Sequence, residues 1–337
     1  MDNRTWFEEM PKVELHLHLE GAIPLPALFE LMGKYGGDES VQTLQDLERK
    51  FQFRDFPHFI ENWIWKSQFI RDYDDISFYA EAVATDLAAQ NIVYCEAFYT
   101  AQNQMMTSGL SYYGITEAVR KGLDKVPGIH VNLLADMGRD LGPDRAEEIL
   151  PLIHEARELG ILGVGIGGSE QAFPPQPFRK FFEDARNLGL RTTAHAGEAA
   201  GADSVWGAVR ELQVERIGHG TRAVEDDDLV EYLCETKIPI DLCPISNLRT
   251  GAVASLQEHP VRRYFDQGLV LSINTDDPKM FHNSLADEYQ SLAEVHSFTN
   301  DEIKALTLTA VQSSFLSDSE KERLRDQLTS HPVWSLA

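Results

Sequence analysis

A chain of 337 residues, 43% hydrophobic and 25% charged, has the make-up of an ordinary soluble globular protein and the length of a barrel with insertions. Its 54 acidic against 30 basic side chains leave a formal net charge of −24, a field that repels phosphate backbones and sets nucleic acid aside as a partner. No apolar run approaches the ~20 residues that span a bilayer, and MDNRTWFEEMPK carries no basic-then-apolar leader. Three cysteines, Cys95, Cys234 and Cys243, lie in apolar stretches without a C-x-x-C pair, which predicts buried free thiols and a cytoplasmic protein.

Strand-like runs recur along the chain. They are expected at 12–19, 91–99, 129–136, 161–166, 190–195, 215–219, 238–242 and 268–274. Their apolar, β-branched composition suits parallel strands covered on both faces. Amphipathic stretches separate them, such as AEEILPLIHEARELG with Gly160 as a stop and PFRKFFEDARNLG with Gly189. Eight alternations of strand and helix predict an α/β fold, a (β/α)8 TIM barrel formed by residues 1–337 as one domain. About 70 residues separate the first two strands, far more than the ≥10–12 of a crossover. A helical insertion around 24–75 is therefore expected over the barrel mouth. In it Phe56, Phe59, Trp63 and Trp65 are either a pocket wall or packing for the insertion itself. After 300 the chain predicts extra C-terminal helices with a solvated face in SDSEKERLRDQ.

The residues that carry chemistry stand at the ends of these strands. His16 and His18 lie two apart in KVELHLHLEG, so both side chains leave one face of a strand. His195 follows in RTTAHAGE with Glu198 three residues on. His219 lies between Gly218 and Gly220, and Asp276 and Asp277 close LVLSINTDDP. Each motif alone has an ordinary explanation, a satisfied histidine or a capped turn. Gathered at four strand ends, where a parallel barrel builds its sites, they predict one divalent metal, zinc. Zinc so held lowers the pKa of a bound water to about 7. Glu198 and His219 are then the candidates for proton transfer. Adjacent Asp276 and Asp277 point to opposite sides on an extended backbone, so they are expected to divide their tasks.

Together PKVELHLHLEG, HAGE, RIGHG, CPISN and SINTDDP resemble the adenosine deaminase family of the amidohydrolase superfamily, from about residue 10 to about 310. The resemblance implies a barrel with one catalytic zinc per chain held by His16, His18, His195 and Asp276. It implies that Glu198 protonates the purine ring nitrogen beside the reacting carbon. His219 would orient the attacking hydroxide and accept or stabilise its proton. Asp277 would bond the imidazole part of the purine, and backbone at Gly168 would meet its pyrimidine side. The reaction implied is hydrolytic deamination at C6 of a small-molecule purine, adenosine or 2′-deoxyadenosine, giving inosine and ammonia.

Two positions depart from many relatives. Glu20 stands where an aspartate that can contact the ribose is common, and Gly165 replaces an aspartate of the fourth strand. Glu20 resembles adenine deaminases, and GIGGSEQAFPP resembles a branch that includes enzymes acting on aminodeoxyfutalosine. KMFHNSL after NTDDP is closer to the nucleoside-acting branches. GVGIGGSE lacks the lysine that bridges paired metals, and CPIS lacks the second cysteine of the cytidine-type site. A metal-dependent hydrolase of other bonds on the same barrel is the more distant alternative. Neither the oligomeric state nor the N9 substituent is specified.

Overall fold

A computed structural model describes residues 2–54 and 56–336. Of Phe56 only the backbone is described, so the expectation that its ring lines a pocket lies outside the described residues. Eight strands pair in parallel in chain order: β1 (Lys12–His18), β2 (Ile92–Tyr99), β3 (His130–Gly138), β4 (Ile161–Gly167), β5 (Arg191–Ala196), β6 (Arg216–His219), β7 (Ile240–Leu242) and β8 (Leu271–Ile273). The sheet closes on itself through the segment after β8. The amide of His18 donates to the Asp276 carbonyl (2.8 Å) and that of Asp276 to the His16 carbonyl (3.1 Å). The fold is the α/β (β/α)8 barrel.

β7 and β8 are shorter than the sequence suggests. Pro239 has no N–H to extend the β7 ladder, and Gly268 (φ 77°) turns the chain ahead of β8. A short helix, α1 (Asn3–Glu9), precedes β1. The insertion holds α2 (Leu25–Lys34), α3 (Leu44–Lys50) and α4 (Phe56–Ser67). The crossover to β2 is α5 (Tyr73–Ala89), which runs well past the expected boundary at 75. Asp72 starts it with a capping box, accepting from Asp75 N–H while the Asp75 carboxylate reaches back to the cap backbone. The C-terminal helices are Asn300–Ser313 and Asp318–Thr329; the second buries Leu324 and Leu328 and exposes most of its charged residues. Cys95 and Cys243 are buried, but Cys234 is only half-buried. It sits on the helix Asp227–Thr236, whose inward positions are taken by Leu229, Val230 and Leu233. Among the described residues no helix is long and apolar enough to cross a membrane.

The barrel interior is polar below the strand ends. Arg216 of β6 is fully buried and pairs with Glu96 of β2 (2.7 Å) and Asp241 of β7 (2.6 Å), while Phe315 lies against its guanidinium (4.2 Å). Tyr94, Asn132, Ser272 and Asn274 extend this network around the wall. Removing one partner of a buried pair strands the other charge. Arg216→Met is therefore expected to lower unfolding free energy by about 3–5 kcal/mol, read from the denaturant midpoint. An unchanged midpoint would mean that the network does not hold the barrel together.

Candidate metal and deaminase site

His16 and His18 leave the same face of β1, and the structure aims both at the barrel axis. His195 comes from the end of β5 and His219 is the last residue of β6. The Nε2 atoms of His16 and His18 each lie 3.0 Å from Nε2 of His195. Asp276 Oδ1 is 3.4 Å from His16 Nε2 and 3.3 Å from His18 Nε2. Tetrahedral donors about 2.0–2.1 Å from a zinc ion stand about 3.3 Å apart. These four distances lie near that spacing. Donor atoms of His16, His195, His219 and Asp276 all fall within 4.8 Å of one another, as do those of His18, Asp276 and Asp277, so Asp276 joins two candidate ligand groups.

The hydrogen bonding supports the same fit. His195 directs Nδ1 at the Ile166 carbonyl (3.0 Å), which fixes the proton there and leaves the Nε2 lone pair free. Ser246 donates to Asp276 Oδ2 (2.6 Å), which leaves Oδ1 buried without a hydrogen-bond partner. Burial pushes His16 down to about 3 and His18 to about 4, and holds His195 well below its ordinary value, so the rings are neutral and could serve as ligands. Burial alone would raise Asp276, but His16, His219 and His18 outweigh it and keep the carboxyl ionised. Three neutral imidazoles and one carboxylate suit a borderline divalent cation.

Backbone strain helps aim these groups. His219 (φ 64°) and Asp276 (φ 67°) both adopt the left-handed conformation, which costs a β-carbon-bearing residue about 1–3 kcal/mol. The extended geometry expected for Asp276 and Asp277 is corrected accordingly. The two carboxylates diverge because the chain turns at Asp276, after which Asp277 caps the helix Pro278–Phe281. Asp277 fills the space beside Gly21, where a β-carbon would come within 1.7 Å of its Oδ1. Burial and the neighbouring Asp276 raise its carboxyl far above the usual range.

Glu198 is buried, with Oε2 3.6 Å from His219 Nε2. Burial pushes its carboxyl up to about 7. A cavity of about 390 Å3 opens beside it, lined by Ser169, Gln171, Arg222 and Thr250 among others. A larger groove of about 700 Å3 beside Tyr73 and Tyr113 shares no residue with the donor cluster. Gly168 (φ 102°) is a required glycine, since a β-carbon there would meet Asp140 Oδ2 at 2.2 Å. Glu20 accepts from the Thr100 amide (2.8 Å) through one oxygen, while the other is buried and unpartnered. Trp63 stands edge-on to His18 with ring centres 5.8 Å apart. Phe59 instead stacks on Phe281 (5.1 Å) and backs Trp63. Trp65 turns toward Phe51 and bonds Asp38 (2.9 Å).

Several residues of this region are not singled out by the sequence. Glu170 collects the amides of Gly197, Glu198 (3.1 Å), Ala199 (2.8 Å) and Ala200 (3.0 Å), clamping the turn that carries Glu198. Lys66, on α4, donates to the Glu20 carbonyl (2.8 Å) and lies over the Trp63 ring (3.6 Å). Asp136 of β3 is buried opposite Gly165 of β4, with one oxygen unpartnered. The available signals were the position of Glu170 just after β4 and that of Ser246 just after β7.

A parallel barrel that gathers imidazoles and a carboxylate at its strand ends has the architecture of an amidohydrolase. The sequence model of one such family, Adenosine deaminase, matches residues 11–331, and the chain belongs to that family and is a hydrolytic deaminase. It is 34% identical to an adenine deaminase of Wolinella succinogenes over 317 residues, 93% of this chain and 95% of that one. It is 33% identical to an aminodeoxyfutalosine deaminase of Streptomyces avermitilis (100% and 95% covered) and 33% to an adenosine deaminase of Shewanella loihica (94% and 97%). Among solved structures, an adenine deaminase of Arthrobacter aurescens superposes with a TM-score of 0.90 at 30% identity, covering 97% of this chain and 100% of that one. An amidohydrolase of Burkholderia ambifaria with bound Zn gives 0.88 at 27%, covering 97% and 91%.

Proposed function

We propose that the chain is a zinc-dependent deaminase of 6-aminopurine nucleosides, with adenosine and 2′-deoxyadenosine as its substrates. The observation that carries this reading is the Glu198 carboxyl, raised by burial to about 7 and 3.6 Å from His219, beside a cluster of imidazole and carboxylate donor atoms. His16, His18, His195 and Asp276 are the residues that hold zinc, and the bound Zn of the Burkholderia ambifaria structure supports that choice of ion. Bound zinc supplies Lewis acidity and a water activated at neutral pH.

The chain's own residues do the rest. Glu198 gives its proton to the ring nitrogen beside C6, which makes that carbon electrophilic. His219 orients the attacking water. Asp277, kept protonated, donates a hydrogen bond to the imidazole side of the purine, and backbone at Gly168 meets the pyrimidine side. Water adds its oxygen to C6 and gives one proton to the Glu198 carboxylate, which restores the acid. The new hydroxyl gives its proton to the amino group, the C–N bond breaks and ammonia leaves, while the ring nitrogen keeps the proton that Glu198 donated. Glu20 reaches toward the N9 substituent, while Trp63, backed by Phe59, walls the base. Residues 1–337 act as one barrel domain with the helical insertion around 24–75 as its cover, a reading supported by the Lys66 bond to Glu20. Three unpaired cysteines suit the reducing cytoplasm.

A kinetic panel of adenosine, 2′-deoxyadenosine, adenine and aminodeoxyfutalosine tests the substrate. We expect kcat/KM for adenosine to exceed that for adenine at least tenfold, about 1.4 kcal/mol of extra transition-state binding. Glu20 and the named relatives give the second reading, deamination of free adenine or aminodeoxyfutalosine. Preference for either would replace the substrate, and no turnover of any member would reject deamination of this class.

A further inference from the structure

A chain of hydrogen bonds runs from the outside of the metal cluster to His219 and has a fixed direction. It begins at the amide of Val261, which can only donate, and which points at His259 Nδ1 (3.2 Å). The proton of the neutral His259 ring is therefore on Nε2, which faces Asn247 Oδ1 (3.2 Å). Thr221 also donates to Asn247 Oδ1 (2.6 Å), so the carboxamide oxygen is held on that side. The Asn247 amino group then faces His219 Nδ1 (3.1 Å) and donates to it. Every member is buried: His259 is 3% exposed, Asn247 and His219 0%. His219 Nε2 has no hydrogen-bond partner in the protein and faces Glu198.

We infer that His259 and Asn247 are positioning residues that fix the His219 tautomer, so that its Nε2–H faces the reacting atoms as a donor. The imidazole of His259 touches nothing that reacts. Its part is to hold the Asn247 carboxamide in one of its two orientations, because the flipped amide would present its oxygen to His219 and draw the proton to Nδ1. A neutral His219 with Nε2 protonated can hold the attacking oxygen by donation but cannot take a proton through that atom. The role of His219 as donor rests on the deaminase reading, whereas the tautomer itself does not.

Long-range 1H–15N spectra of protein labelled with 15N-histidine, in its metal-loaded form, distinguish the two neutral tautomers, with His219→Gln supplying the assignment. The wild type is expected to show Nε2–H at His219. His259→Phe removes the donor to Asn247 and is expected to give a mixture of tautomers. Its kcat should fall about 10–100-fold, the range for losing the outer partner of a functional imidazole, with KM within about twofold and metal content unchanged. His259→Gln, whose amide can donate to Asn247, should recover most of kcat and the single tautomer. The inference is overturned by an Nδ1–H tautomer in the wild type, or by His259→Phe with unaltered tautomer and kcat. Should His259→Phe fail to fold, the wild-type spectrum and His259→Gln decide. A wild type with the expected tautomer but no turnover of any 6-aminopurine would reject the deaminase reading and leave the relay standing.

Discussion

Glu198→Gln is expected to reduce kcat for C6 deamination by about 10²–10⁴, the range that a positioned acid or base contributes, with metal content at the wild-type level. The amide keeps the size of the side chain and cannot release a proton to the ring nitrogen. Glu198 is not among the four proposed ligands, and its amide is clamped by Glu170, so the turn should stay in place. The pH dependence has a defined sign. Burial raises the carboxyl to about 7, so the acid form dominates below that pH and is lost above it. Wild-type kcat should accordingly decline on the alkaline side. Turnover of Glu198→Gln within a few-fold of wild type would favour a metal-dependent hydrolase of other bonds, whose chemistry assigns this carboxyl no task.

Removing the metal should abolish turnover, and restoring zinc should recover it. The same treatment should lower stability, because an ion that binds the folded chain at a thousand times its Kd contributes about 4.1 kcal/mol. Asp276→Asn isolates the carboxylate. It is the one anionic donor of the proposed set, and it receives the Ser246 hydroxyl on its far oxygen. The amide would leave three neutral imidazoles to balance a doubly charged ion. Metal content measured by mass spectrometry after dialysis should fall well below one per chain, and activity should fall with it. Full activity after exhaustive chelation would overturn the metal-centred reading.

Much of this architecture can be read along the chain because a parallel barrel puts its chemistry where strands stop. His16, His18, His195, His219 and Asp276 each sit beside such a point, and period-2 spacing on β1 is enough to pair the first two. What cannot be read locally is anything set by turns or by partners far along the chain. The left-handed backbone at His219 and Asp276 is uncommon for any residue but glycine, and tertiary packing imposes it. Glu170 meets the Glu198 turn 28 residues away, and His259 acts through Asn247 on a ring a further 28 residues back. The aromatic stretch shows the same limit. Helical periodicity places Phe59, Trp63 and Trp65 on α4, but only the packed insertion turns Trp63 to His18 and Trp65 to Asp38.

The first and last strands of the barrel meet through main-chain bonds among three of the proposed ligand residues. His18 and Asp276 share a main-chain hydrogen bond, and the Asp276 amide returns to the His16 carbonyl. An ion gripping these side chains would rivet together parts of the polypeptide separated by some 260 positions, at the one joint that strand order alone leaves for last. Cofactor loading and completion of the ring would then be a single event, and a vacant protein would come apart first along this edge.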